Sequence, residues 1–378
     1  MPERVIVAGV ATRALARSAA RAGYRVTAVD AFGDVDLRAV ADVIAPRREG
    51  GRFSAMSAAR AAQDVAASMA AYTSNFENYP DAVACLAIGR SLLGNAPRVL
   101  EQIRNPITLM RALARRGFAV PRTRASAPVP SRGSWLLKTR RSGGGHGTSP
   151  WLSGTVPRSA YLQSRIAGLP GSITFVADGR HAVPLGISRQ LVGDPTFGSR
   201  GFRYCGSLLT APGRPLFARP DEISTVARAL AEAVTEEFGL IGLNGLDFIA
   251  RDGVPYPIEV NPRYSASMEL VERTSDVSLF DLHRRACAGT LPAEPRGGRS
   301  VAGKAIVFAR RNVTLGDTRD WSSRGIADVP HPGEAITHGR PICTVFADGR
   351  TADECLARLG AEARRVYRAA ESASRGAA

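Results

Sequence analysis

From Gly242 to Arg273 the chain reads GLNGLDFIARDGVPYPIEVNPRYSASMELVER, gathering acidic and amide oxygens into a strongly β-patterned hairpin. LDFIA and PYPIEVN are short apolar runs on either side of the turn residues Arg251, Asp252 and Gly253. Side chains alternate faces along a strand, so Glu259, Asn261 and Arg263 share one face while the extended run lasts. Whether Asp247 joins them depends on the loop. A two-residue Asp252-Gly253 turn would set it opposite Ile258, on the other face. A three-residue Arg251-Asp252-Gly253 loop, with Gly253 left-handed, sets it diagonally near Glu259. The three-residue loop is the one predicted. Asp247, Glu259 and Asn261 then offer hard oxygen ligands to one small volume, which suits Mg²⁺ or Mn²⁺ shared with substrate phosphates. Arg263 adds a fixed positive charge beside that metal. A solvated surface acid is the plainer reading of any single Asp, but not of Glu-x-Asn-Pro-Arg with a carboxylate twelve residues upstream.

A second stretch, SWLLKTRRSGGGHGTSPW, ends a short strand in Lys138 and continues into Gly143, Gly144, Gly145, His146 and Gly147. Successive glycines let backbone N–H groups wrap an anion. The order is not that of a P-loop, because the lysine precedes the glycines. Alone, the loop reads equally as a flexible linker; the strand and lysine before it favour a lid over phosphates. Lys138 and Lys304 are the only lysines in a chain that otherwise takes its positive charge from arginine. A compact ammonium is not interchangeable with a guanidinium, so Lys138 reads as retained for chemistry. Lys304 stays open between that and composition bias.

Further candidates lie between these stretches. In AYLQSRIAGLPGSITFVADG, two strands flank a Gly-Pro-Gly turn, and Gln163, Ser164, Arg165 and Ile166 at the junction can present backbone groups to a nucleobase. HAVPLGISRQL is a strand ending at Arg189 and Gln190, both candidate substrate contacts. The Gly-rich DPTFGSRGFRYCGSLL that follows carries Arg200, Arg203 and Tyr204, which could reach an acidic substrate, although a solvated loop is the plainer reading of any one arginine.

The elements that position these residues begin with ERVIVAGV, a helical run from Thr12 to Ala22, and YRVTAVD: a β-α-β start with Gly9 at the first turn and Asp30 closing the second strand. GxGxxG is missing, so a Rossmann-like domain without a dinucleotide is expected. The helix N-terminus near Thr12 and Arg13 could still hold an anion. Residues 53–69 read as helix, and AVACLAIG, near Asp81 to Gly89, as a buried parallel strand. A helix starts at Asn95-Ala96-Pro97. Another follows with Asn105 as cap, Pro106 at its first position, a stripe of Ile107, Met110, Leu113 and Ala114, and Gly117 at its end. Ser126 to Ser134 is a connector, Asp221 to Phe238 an amphipathic helix, Leu279 to Ala288 a helix and Gly289 to Gly298 a linker. Strands and a final amphipathic helix close the chain, with residues 371–378 frayed.

At 378 residues two or three domains are expected. No apolar run is long enough for a membrane span. The N-terminus lacks a secretory signal pattern, so a cytoplasmic protein is expected. Five scattered cysteines without CxxC spacing argue against disulfides and zinc, and read as small buried apolar residues. The net charge of +16 is spread along the chain instead of forming aromatic-interleaved patches, which makes nucleic acid a minor reading.

Taken together, LLK followed by GGGHG, LQSRIAG, and D-FIA with PIEVNPR resemble the ATP-grasp superfamily of carboxylate-amine ligases over Arg4 to Arg273. The tail GKAIVFAR to VFADG is similar to the small β-rich domain that follows the core in biotin-carboxylase-like members, without any sign of biotin, and the likeness is strongest to a small carboligase-like group. The resemblance implies an α/β and α+β fold: a Rossmann-like N-terminal domain (1–100), a two-lobed ATP-grasp core (101–292, lid lobe about 121–168), and a small β-rich C-terminal domain with a final helix (293–378). It implies ATP between the lobes, with Lys138 on its phosphates, residues 143–147 as lid, Gln163 to Ile166 as adenine hinge read through backbone atoms of Ser164 and Ile166, Asp247, Glu259 and Asn261 as magnesium ligands, and Arg263 steadying the acyl phosphate. Many members carry a second phosphate lysine where this chain has Asn105-Pro106.

The expected function is an ATP-dependent ligase that activates a carboxylate as acyl phosphate for attack by an amine, with glutamate ligation in coenzyme biosynthesis as the narrower reading. Its partners are small-molecule carboxylates and amines, and a homodimer is compatible with it. The alternative is a non-catalytic nucleotide-binding regulatory protein.

Overall fold

The computed structural model describes residues 2–47, 52–128, 133–210, 215–275, 277–294 and 300–376. The connector at Ser126 to Ser134, the linker at Gly289 to Gly298 and the end of the chain fall partly outside these.

The chain opens with a parallel sheet. Its strands are β1 (Arg4–Gly9), β2 (Arg25–Asp30), β3 (Asp42–Ile44), β4 (Met69–Tyr72) and β5 (Ser91–Leu93), in the order β3-β2-β1-β4-β5. Helices α1 (Arg13–Arg21), α2 (Val35–Arg38), α3 (Ala55–Ala61) and α4 (Pro80–Leu86) lie between them. Both faces of β1 are covered: Ile6 and Ala8 lie in one apolar cluster, Val5 and Val7 in another. That explains its unbroken hydrophobic run.

Two expectations fail here. Residues 81–89 do not form a strand, because Pro80 opens a helix and Ala82, Val83 and Leu86 bury one helical face. The strand in question is the short MAAY run of β4, buried at every position. The 53–69 helix is likewise shorter than expected, running over Ala55–Ala61 with Ser54 accepting from the Ser57 N–H at 3.2 Å. At the helix start near Thr12 the anionic group is a carboxylate of the chain itself. Asp30 Oδ2 accepts from the Thr12 N–H (2.7 Å) and hydroxyl (2.8 Å), while Oδ1 accepts from the Phe32 and Gly33 N–H groups. Gly9 is required by packing instead, since a Cβ there would lie 1.9 Å from Thr73 Oγ1.

Helices α5 (Pro97–Ile103) and α6 (Pro106–Arg115) lead out of this unit. Asn105 caps α6 as expected, accepting from the Ile107 and Thr108 N–H groups, but the buried face is Leu109, Met110, Ala112 and Leu113, and Ala114 is exposed. A small antiparallel sheet follows, ordered β6-β9-β7-β8, from β6 (Thr123–Arg124), β7 (Trp135–Thr139), β8 (Thr148–Trp151) and β9 (Ala160–Ser164).

The largest sheet is antiparallel, ordered β14-β13-β10-β11-β12-β15-β18. It combines β10 (Leu169–Asp178), β11 (Ala182–Val192), β12 (Tyr204–Leu209), β13 (Ile241–Arg251) and β14 (Val254–Asn261) with β15 (Val301–Phe308) and β18 (Pro341–Gly349). The C-terminal strands therefore extend the central sheet through the β12–β15 ladder. A two-stranded ribbon, β16 (Val313–Thr314) and β17 (Ala335–Ile336), lies between them in sequence. Helix α7 (Pro220–Phe238) buries Ala227, Leu230 and Val234 in the main core and ends at left-handed Gly239. Helices α8 (Met268–Thr274) and α9 (Leu279–Cys287) pack toward the N-terminal unit. Helix α10 (Ala352–Gly376) closes the chain, so residues 371–376 are helical where fraying was expected.

No helix among the described residues is long and apolar enough to cross a membrane. The five cysteines are all free; Cys205, Cys343 and Cys355 are buried, Cys85 and Cys287 partly so.

Candidate active site

A cavity of about 970 Å³ opens where the small sheet, the central sheet and the N-terminal unit meet. Lys138, residues 143–146, Gln163 to Ile166, Asp247, Glu259, Asn261 and Arg263 all line it. The two stretches that carry the sequence argument are thus brought to one space from about a hundred residues apart.

The hairpin reaches this arrangement by a route other than the one expected. Its turn has two residues, not three: Arg251 pairs with Val254, and Asp252 (φ 53°) and Gly253 (φ 84°) are both left-handed, as a type I′ turn requires. With an unbroken ladder Asp247 would face Ile258. Instead the register shifts after the Phe248–Pro257 pair, Ile258 is skipped, and Asp247 pairs with Glu259. A β-bulge corrects the face.

Asp247 Oδ1 accepts from Gln190 Nε2 and Oδ2 from Asn261 Nδ2, each at 3.0 Å. Burial and the neighbouring Glu259 push its carboxyl up to about 7. Asn261 Oδ1 accepts in turn from Arg263 Nη2 at 3.2 Å. Arg263 is 9% exposed and donates from the same nitrogen to Glu77 Oε1 at 2.7 Å, a carboxylate of the N-terminal unit that is itself 1% exposed. Burial works against the charged form of Glu77, yet Arg263 holds it below the ordinary carboxylate range.

Lys138 pairs with Thr148 and Tyr161 across its two ladders and donates to Gln163 Oε1 at 3.2 Å. Burial alone would lower its pKa, but Tyr161 and Glu259 outweigh it and hold the ammonium above its ordinary value. The glycine loop beside it has a defined shape. Gly144, Gly145 and Gly147 have φ of 61°, 78° and 71°; Gly144 O accepts from the Tyr204 N–H at 3.0 Å; and a Cβ on Gly145 would fall 1.7 Å from Phe202 O. Glycine is needed here for left-handed backbone and for close approach. His146 lies on the loop with its imidazole pushed down by partial burial and by Arg203 and Arg340.

At the junction after β9, the Ser164 N–H is taken by Arg122 O at 2.8 Å and the Arg165 N–H by Ser134 O at 2.9 Å. Of the candidate substrate residues, Gln190 and Tyr204 line the cavity and Arg189, Arg200 and Arg203 do not. Strand alternation places Arg189 on the face opposite Gln190 and Val192. Arg203 donates to Gly339 O and sits over the Phe308 ring. Gln190 is occupied with Asp247 and Tyr204 with Ser207, at 2.8 Å.

Sequence reading missed Glu77 and Arg104, which approach through the third dimension and carry no motif. It left Lys304 open. Lys304 is buried against Glu269 (2.6 Å), whose carboxylate also receives the Arg13 guanidinium, and Arg13 reaches Asp328 Oδ1 at 2.9 Å. That network ties the N-terminal unit, α8 and the C-terminal strands together at the far end of the cavity.

Residues 103–267 match the family model described as ATP-grasp domain. The fold agrees with this beyond the matched residues. The biotin carboxylase domain of Hydrogenobacter thermophilus 2-oxoglutarate carboxylase superposes with a TM-score of 0.72 at 14% identity, over 95% of this chain and 89% of that one. N5-carboxyaminoimidazole ribonucleotide synthetase from Thermus thermophilus gives 0.65 at 19% identity, over 94% and 97%. The chain carries an ATP-grasp domain and has the fold of the ATP-grasp superfamily. An uncharacterized protein of Methanocaldococcus jannaschii is 22% identical over 278 residues, 68% of this chain. That alignment spans 64% of the relative, less than two thirds of its length.

Proposed function

We propose that this protein is an ATP-dependent ligase that activates a carboxylate as an acyl phosphate and passes the acyl group to an amine. The observation that carries the reading is the pairing of Asp247 with Glu259 on the wall of the cavity that Lys138 and its glycine loop also line. A carboxylate is a poor electrophile because its leaving group would be oxide. Its attack on the γ-phosphorus of ATP releases ADP and forms the acyl phosphate; the amine then attacks the carbonyl carbon and inorganic phosphate leaves.

Two carboxylates and an amide oxygen are a hard donor set of the size Mg²⁺ takes when the remaining positions go to water and substrate phosphates. Among the described residues no larger His, Cys, Asp or Glu group competes with it. Asp247, Glu259 and Asn261 would hold the ion, which supplies charge neutralisation at the phosphates when bound. Lys138 balances phosphate charge, the glycine loop covers it, and Arg263, clamped by Glu77, keeps a cation beside the carbonyl oxygen as charge grows there. For the base, the Ser164 N–H is already used, so the hinge contact falls to its carbonyl and to Ile166. The Hydrogenobacter domain was solved as a dimer with MgADP, ADP and bicarbonate, which supports ATP, Mg²⁺ and a homodimer here.

The narrower reading is an acidic amino acid such as glutamate, ligated in coenzyme biosynthesis. The arginines that support it are Arg140, Arg141, Arg165 and Arg340, which line the cavity, and not Arg189 or Arg203, which do not. The test is ADP release in Mg²⁺-ATP with panels of carboxylic acids, with hydroxylamine present to trap acyl phosphate as hydroxamate. Acid-dependent ADP and hydroxamate are expected. ATP bound without either product across the panel would favour a regulatory nucleotide-binding protein instead.

A further inference from the structure

The residue that follows α5 is an arginine whose guanidinium holds three distant parts of the cavity together. Arg104 is largely buried, with 12% of its side chain exposed. Its Nε and Nη2 donate to Asn78 Oδ1 in the N-terminal unit (3.3 and 2.9 Å), Nη2 donates to the Ser142 carbonyl at the start of the glycine loop (2.9 Å), and Nη1 donates to the Val260 carbonyl between Glu259 and Asn261 (3.0 Å). A guanidinium has five N–H donors in a rigid fork. These bonds account for four. The fifth, on Nη1, lies on the side of Glu259, whose Oε2 is 3.7 Å away, too far for a hydrogen bond.

The acceptors of those bonds are all neutral oxygens. Among the described residues the positive charge is offset by Glu259 at that distance and by the buried Glu77, to which Arg104 makes no hydrogen bond, whereas Arg263 is hydrogen-bonded to Glu77. The two residues that follow add no cation: Asn105 is spent on capping α6 and Pro106 is buried in its first turn.

We propose that Arg104 is a positioning residue that latches the glycine loop to β14, the strand bearing Glu259 and Asn261, with its remaining Nη1 N–H and its charge directed to the polyphosphate of a bound nucleoside triphosphate. The loop's carbonyl at Ser142 and the strand's carbonyl at Val260 are set in register by one rigid fork, so the loop sits at a fixed height above the phosphates. The nucleotide half of this inference rests on the ATP-ligase reading. The latch half does not.

The test uses Arg104→Lys, which keeps the charge but cannot span three acceptors, and Asn78→Ala, which removes one arm and keeps the arginine. Hydrogen exchange of peptides covering residues 139–147 is measured in the full chain without nucleotide, followed by binding of a non-hydrolysable ATP analogue with Mg²⁺. Exchange in the loop is expected to rise about tenfold in Arg104→Lys, and by less in Asn78→Ala, while peptides from β10 and β13 keep wild-type protection. Analogue affinity is expected to fall about tenfold in Arg104→Lys. Loop exchange within about twofold of wild type in both variants would overturn the latch. Exchange raised equally throughout the chain would reduce Arg104 to a fold-stabilising residue and overturn it as well. Wild-type protein that binds no analogue while its variants loosen the loop would overturn the functional reading and leave the latch standing.

Discussion

Asp247 faces Glu259 across the β13–β14 ladder only because Ile258 is bulged out of it. The turn is the tight two-residue kind that alone would have put the two carboxylates on opposite faces. One extra residue in β14 reverses that parity, and the pair, with Asn261, shares a wall with Lys138. Bulges recur where a strand must re-aim a side chain.

Gly145→Ala is expected to displace the loop. Its Cβ would meet Phe202 O at 1.7 Å on a backbone with φ of 78°. The strain is removed by shifting the loop, so KM for ATP should rise about tenfold or more while thermal stability changes little. Steady-state kinetics with ATP varied, alongside a melting curve, checks both.

Arg263→Met is expected to cost stability as well as turnover. Removing the guanidinium leaves the Glu77 carboxylate buried without its charged partner, a loss of about 3–5 kcal/mol. Adding Glu77→Gln should restore most of the stability but none of the turnover. Urea titrations of the single and double variants measure the first, and the rate of ADP release the second.

Stability should fall in mild acid through His283. Its Nδ1 accepts from the Leu243 N–H at 2.8 Å and its Nε2 faces Leu93 O at 3.2 Å, so the neutral ring satisfies both contacts. Burial pushes the imidazole down to about 4. Between that value and the unfolded histidine's ordinary pKa, the unfolded chain binds the extra proton. This contribution is therefore intact above about pH 6.5 and is lost as pH falls toward 4, by about 3 kcal/mol at most. Chemical denaturation from about pH 4 to 8 should show the slope, and His283→Gln should flatten it.

Local signals in the sequence were enough for β1, β2, α6, α7 and the hairpin strands, because each carries its own periodicity and cap. Glu259, Asn261, Lys138 and the glycines were legible because their spacing within one stretch implies a shared face or loop. The failures have physical causes. AVACLAIG is apolar enough for a strand, and only the turn begun by Pro80 makes it a helix. The bulge at Ile258 leaves no trace in residue type, so the sequence implies a longer loop with Asp247 diagonal to Glu259, whereas the bulge sets the two directly opposite. Glu77 and Arg104 come from the N-terminal unit and the α5–α6 junction, and only the packing of three sheets brings them to the cavity. Arg189 and Arg203 were offered on charge alone, and strand parity and the Gly339 contact take them elsewhere.

The central claim is that Asp247 and Glu259 hold Mg²⁺ for a nucleotide whose phosphates Lys138 meets. Calorimetric titration of a non-hydrolysable ATP analogue into wild type and Glu259→Gln, each with and without Mg²⁺, tests it most directly. Mg²⁺ should tighten binding to wild type by about tenfold or more and have little effect on the variant. No binding to wild type, or the same Mg²⁺ dependence in both proteins, would contradict the claim.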